Sequence, residues 1–168
     1  MMQHRLILPF CCILYFSFDG NGNPPPYYAG HGERGRGLFA SRDIKKGELV
    51  HDGNKSDIQF PSDDDGLAWR RLVFNLPRNK ACDVIDWSWT AQTEKGGKYK
   101  LFSAVDISVL CNGGNDDTIN VNPLSEFTSE MYATRDIKKG EELLMDYDIY
   151  ESVWEDVGLG GVYVDDAQ

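Results

Sequence analysis

Apolar residues in this chain fall into short clusters, and turn-forming polar residues break them apart. Ala81 to Thr90 (ACDVIDWSWT) and Tyr99 to Leu110 (YKLFSAVDISVL) are rich in β-branched and aromatic residues and predict strands. Lys95-Gly96-Gly97-Lys98 predicts a turn between them. One stretch has helical spacing. Trp69, Leu72, Val73 and Leu76 share a face, Ser62 to Asp65 offer an N-cap and an acidic first turn, and Pro77 stops the run. A single main helix is therefore expected over about Asp63 to Leu76. Asn21 to Pro26 (NGNPPP) is rich in turn formers and separates an apolar leader from the domain proper.

The clearest internal pattern is a repeat. Phe39 to Leu49 reads FASRDIKKGEL, and Tyr132 to Leu143 reads YATRDIKKGEEL. Lys-Lys-Gly predicts an exposed turn in each copy, with the glycine free to take positive φ. The flanking apolar residues predict short strands. Two such hairpin-like units imply a β-rich fold with pseudo-symmetry, and two copies are too few for a solenoid.

The chain has 168 residues, which suits one domain, and 41% are hydrophobic, so a core can form. The net charge of -10 argues against sequence-independent nucleic-acid binding, which needs a basic surface to displace counterions. Nine carboxylates lie between Glu141 and Gln168, with no Lys, Arg or His. A solvated tail and a docking site for a basic peptide both fit that pattern. The cysteines Cys11, Cys12, Cys82 and Cys111 form no CxxC pair and have no zinc spacing, so neither a structural metal nor a disulfide framework is expected. The apolar run Leu6 to Phe18 is too short to span a bilayer as a helix. It fits a signal-peptide core, a buried strand or a mis-set start equally well. If it is not a signal, a nuclear or cytoplasmic location follows.

Three motifs carry candidate chemistry. Gly35-Arg36-Gly37 opens the first repeat copy; it lacks the full GxGxxG pattern and the strand–helix context of a dinucleotide site. Leu110-Cys111-Asn112-Gly113-Gly114 is followed by Ile119-Asn120. Gly140-Glu141-Glu142-Leu143-Leu144-Met145-Asp146-Tyr147 closes the second copy. In this order the three resemble the SET domain, a family of S-adenosylmethionine-dependent protein lysine methyltransferases. GRGLFASRDIKKGELV is similar to its opening. Asn112 and Asn120 take the places of the two asparagines of its Asn-His-Ser-Cys-x-Pro-Asn motif. GEELLMDY is similar to its closing Gly-Glu-Glu-Leu-x-x-Asp-Tyr. The chain departs from the family at the His position, which is Gly113, and in lacking the motif's Ser and Cys.

The resemblance implies a mainly β fold with a minor α part. It would be a SET-type β-clip of several short sheets with one inserted helix and a knot-like C-terminal crossing. It would place Asn112 beside Asp146-Tyr147. Residues 1–26 would be the leader and break, 27–159 the domain with core motifs at 33–147, and 160–168 an acidic tail. No cysteine follows Cys111, so the cysteine-rich zinc segment that many relatives add is missing. Trp154 is the candidate aromatic to close the cofactor site in its stead.

By the same resemblance Gly35, Arg36, Gly37, Asn112, Gly113 and Tyr147 surround S-adenosylmethionine, with glycine needed where a Cβ would meet the cofactor. Tyr147 is the catalytic tyrosine, and no metal is required. Trp87, Trp89, Tyr99 and Phe102 are candidate walls for a lysine channel. The implied partner is a protein or peptide with an accessible lysine, in basic surroundings that the acidic charge favours. Neither direct nucleic-acid binding nor a transmembrane span is expected, and the chain is expected to be a monomer. Two other readings stay open: a catalytically degenerate SET-like binding module, and a β-clip carbohydrate-binding or antifreeze-like domain.

Overall fold

A computed structural model describes residues 24–60, 66–150 and 153–159. The apolar leader, the Ser62 to Asp65 cap and the tail at 160–168 lie outside them. The strands are short: β1 Tyr27–Gly32, β2 Gly35–Ala40, β3 Leu49–Asp52, β4 Ile58–Phe60, β5 Ser88–Ala91, β6 Lys100–Ser103, β7 Asn112–Gly113, β8 Val121–Pro123, β9 Glu130–Ala133 and β10 Leu144–Met145. They form an antiparallel hairpin β1-β2 and two antiparallel three-stranded sheets, β3-β9-β8 and β4-β6-β5. The pairing of β7 with β10 is parallel and two residues long. The fold is mainly β, of the small-sheet SET type.

Each element follows from its residues. β6 alternates partners on both sides, with Leu101, Phe102 and Ser103 buried. The helix α2, Leu67–Phe74, buries Trp69 and Val73, four positions apart on one face, and leaves Phe74 exposed. The predicted helix over Asp63 to Leu76 is thus found, shorter within the described residues. The strand predicted over Ala81 to Thr90 is a correction: residues Arg78–Asp86 form a helix, α3, and only Ser88–Ala91 is strand. Pro77 starts this helix as well as ending α2. Its carbonyl accepts from Lys80 and Ala81 N–H at 2.8 and 2.9 Å. A proline at a helix start has no N–H to waste, and its φ is already near helical. Ala81, Val84 and Ile85 then pack at helical spacing onto the core. A one-turn helix α1, Gly53–Ser56, adds a third, and the strand predicted to Leu110 ends at Ser103, with Ile107–Leu110 a 3-10 turn capped by the Asp106 carboxylate.

The repeat is a pseudo-symmetric clasp, and its two copies are not hairpins. The strands flanking each copy pair elsewhere, β2 with β1 and β3 with β9, while the copies pair with one another. Ile44 and Ile137 exchange two backbone hydrogen bonds, both 2.9 Å, and both side chains are fully buried. Asp43 accepts from Lys139 N–H at 3.0 Å and Lys138 Nζ at 2.9 Å; Asp136 accepts from Lys46 N–H at 3.0 Å and Lys45 Nζ at 2.7 Å. Each aspartate therefore caps the other copy's Lys-Lys turn. Gly47 and Gly140 hold φ of 80° and 84°, which the turns require.

There are two cores. One gathers Ile44, Ile137, Leu38, Val50, Val121 and Leu143 around the clasp. The other gathers Phe60, Trp69, Val73, Leu101, Val157 and Leu159 under α2. Cys82 and Cys111 are free thiols, and no helix among the described residues is long and apolar enough to cross a membrane.

Candidate functional site

The closing segment Glu142 to Tyr147 is held by neighbours on several sides. Phe39 bridges Glu142, and Leu143 N–H donates to Leu38 O at 2.8 Å. Asn120 is 1% exposed and clamps the segment with its whole amide: Nδ2 donates to Glu142 O at 2.7 Å, and Oδ1 accepts from Leu144 N–H at 2.9 Å. Asn122 Oδ1 accepts from Asp146 N–H at 2.9 Å. Asp146 in turn caps the 3-10 turn Tyr147–Ile149 by accepting from Asp148 N–H at 2.9 Å. Asp146 thus buttresses the strand end.

The expected adjacency of Asn112 and Asp146-Tyr147 is present, through β7 and β10 and through Gly114 N–H donating to Met145 O at 2.9 Å. Tyr147 lays its ring over Gly113 and donates its hydroxyl to Cys111 O. A Cβ at Gly113 would lie 2.9 Å from that ring. The family's histidine position is therefore filled here by the tyrosine ring. Burial pushes the Tyr147 phenol up from its ordinary value, so it stays neutral and acts as a hydrogen-bonding group.

Gly35, Arg36 and Gly37 lie on β2 against the same patch. Asn112 Nδ2 donates to Arg36 O at 2.9 Å and to Glu142 Oε1 at 2.8 Å. Both N–H groups of that amide are thereby used within the protein, which leaves Oδ1 and the main chain to face a ligand. A Cβ at Gly37 would lie 2.5 Å from Glu142 Oε1 and 2.9 Å from Asn112 Nδ2. The need for glycine there comes from the protein's own packing, which corrects the expectation of a collision with cofactor. At Gly35, φ is 89° and a Cβ would meet nothing within 4 Å, so this edge is open. The structure brings all six sequence-predicted site residues into one patch. Glu142, which links Arg34, Asn112 and the glycine strand, had no role assigned from sequence. Its place inside GEELLMDY was the available signal.

Beside the patch lies a cavity of about 320 Å³. Its walls include Tyr27, Trp87, Trp89, Tyr147 and Tyr150, with Met131 and Met145. Of the four predicted channel aromatics, Trp87 and Trp89 line it; Phe102 stacks behind Trp89 at 5.9 Å, and Tyr99 packs on the second core. Trp154 lies against Trp69 at 5.8 Å in that second core and is not among the cavity's lining residues. One end holds polar groups that sequence reading missed. Tyr27 Oη and His51 Nδ1 are 2.9 Å apart, and Ser56 Oγ is 3.2 Å from His51 Nε2. Burial keeps His51 below the usual imidazole range and pushes the Asp57 carboxyl up to about 7. Cys111, buried near Glu142, is pushed to about 12 and is inert as a nucleophile. Among the described residues no cluster of ligands could hold a metal.

A family model described as SET domain matches residues 35–148. No curated protein sequence matches the chain. Among solved structures, a candidate histone methyltransferase of Plasmodium falciparum is similar with a TM-score of 0.43 and 22% identity, over 73% of this chain and 93% of that one. A humanized Polycomb Repressive Complex 2 of Chaetomium thermophilum gives 0.48 and 23%, over 79% and 16%. CpSET8 from Cryptosporidium gives 0.47 and 19%, over 76% and 59%. The chain spans less than two thirds of the latter two.

Proposed function

Because this chain belongs to the SET-domain family, we propose that it transfers a methyl group from S-adenosylmethionine to a lysine side chain of another protein. The observation that carries the reading is the meeting of three motifs, far apart in sequence, around one tyrosine: β2 with its glycines, the Asn112-Gly113 strand and Tyr147. The residues fit the cofactor. The edge at Gly35 is open, and Asn112 keeps its Oδ1 and main chain for a polar ligand. When bound, S-adenosylmethionine supplies a methyl already activated by the sulfonium, so no metal is called for.

The chain's own residues then have three tasks. The aromatic cavity excludes water and aligns the lysine, and such alignment is worth several kcal/mol of a barrier. Lysine has an ordinary pKa of ~10.4, and burial against apolar walls disfavours its ammonium form. Tyr147 gives its proton to Cys111 O, which leaves its oxygen lone pairs to accept from the amine and orient it.

A degenerate binding module is the second reading, favoured by Gly113 at the family's histidine position. Thermal melting with and without S-adenosylmethionine separates the two. Binding to the native state raises Tm by mass action. A Tm unmoved by millimolar cofactor, in a folded sample, supports the degenerate module.

A further inference from the structure

Five aromatic side chains and two carboxylates, Asp57 and Asp86, line the cavity beside Tyr147, and among the described lining residues there is no lysine or arginine. Two more carboxylates, Asp52 and Asp106, act electrostatically on the same end. Lys55, the cation nearest in sequence, pairs outward with Asp52 Oδ2 at 2.5 Å. Two polar atoms here are buried without a hydrogen-bond partner among the described residues: Trp89 Nε1, on a residue of the cavity wall, and Asp52 Oδ1. Aromatic faces attract cations, and a carboxylate in a low-dielectric enclosure needs a positive partner. Apolar walls, negative charge and no built-in counter-ion together describe a receptor for a small organic cation.

We propose that this cavity is a pocket for an alkylammonium and that Asp57 is the anion that receives it. On the lysine methyltransferase reading, on which this inference rests, the ammonium belongs to the substrate lysine. Asp57 sits at the end of α1, where its N–H donates to Gly53 O at 2.8 Å, with Ser56 and Ser129 at its carboxylate. His51, Asp52, Asp106 and Tyr150 are the titratable groups around it. Burial raises its pKa to about 7, so near neutrality it serves in two forms. Ionised, it draws the ammonium in. It can then accept the proton: the N–H bond breaks, the O–H bond forms and the electron pair stays on nitrogen. Two neutral partners remain, which an apolar enclosure tolerates better than separated ions.

The test uses the full chain and n-butylammonium as probe, with n-butanol as the uncharged control, read by fluorescence of the cavity's Trp87 and Trp89. At pH 8, Asp57→Asn is expected to weaken n-butylammonium binding at least tenfold and to leave n-butanol unchanged. In the wild type, n-butylammonium affinity is expected to fall as pH drops through about 7, since the probe stays charged throughout and Asp57 does not. Unchanged n-butylammonium affinity in Asp57→Asn, or a flat wild-type profile between pH 5.5 and 8, overturns the proposal. The second of these needs no variant. Methyl transfer distinguishes the two levels. If n-butylammonium binding depends on Asp57 but no lysine is methylated, the pocket stands and the methyltransferase reading falls. If Asp57→Asn methylates lysine at the wild-type rate, the reading stands and the role of Asp57 falls.

Discussion

Tyr147 is fixed by two contacts of different kind, its ring on Gly113 and its hydroxyl on Cys111 O. They predict different variants. Tyr147→Phe keeps the ring and removes the hydroxyl; loss of one preorganised polar contact at a reacting centre costs on the order of a hundredfold in rate. Turnover should fall by that order, with cofactor binding and Tm nearly unchanged. An idle hydroxyl would leave the rate near normal. Gly113→Ala puts a methyl 2.9 Å from the ring, so it should displace Tyr147 and lower turnover without removing any functional group. Asp146→Asn should be milder, because Asp146 caps the turn. Residue order made Tyr147, Asn112 and Gly113 legible in sequence. The reason for Gly37 was not, because nothing in the string shows that Glu142 folds under it.

At the scale of elements, pattern reading succeeded where the signal was local. The α2 helix carries its apolar face in its own spacing. α3 was misread because WSWT, which does form a strand, lent its β character to the helical spacing of Ala81, Val84 and Ile85 before it. The repeat announced itself, but its mutual pairing did not, since the aspartate of one copy finds its partners in the other. That reciprocity predicts matched effects: Asp43→Asn and Asp136→Asn should lower Tm by similar amounts in thermal melts, and strongly unequal shifts would deny the symmetry. Asn120→Ala leaves a buried backbone carbonyl and N–H without partners. It should cost about 2–3 kcal/mol in urea unfolding. A variant as stable as wild type would mean that the closing segment is held without this clamp.

Across the whole molecule, charge sets two further expectations. The net charge of -10 should steer a basic substrate inward, so transfer to a basic peptide should slow with added salt. Equal rates on acidic peptides would count against steering. Stability should also depend on Asp57. Its pKa is about 7 in the folded protein against a model value of 3.8, so the native state holds the proton more tightly. Its contribution is therefore complete below about pH 4 and is lost as pH rises through 7. The Tm of Asp57→Asn relative to wild type should accordingly climb between pH 4 and 7. A difference that stays constant with pH would contradict the burial assigned to that carboxyl.

The most direct measurement incubates the folded chain with methyl-labelled S-adenosylmethionine and a cell lysate or basic peptides, and then identifies the labelled residue. The account predicts label recovered as methyl-lysine, reduced on the order of a hundredfold by Tyr147→Phe. Label on no lysine, from a folded sample under conditions that saturate the cofactor, would contradict it.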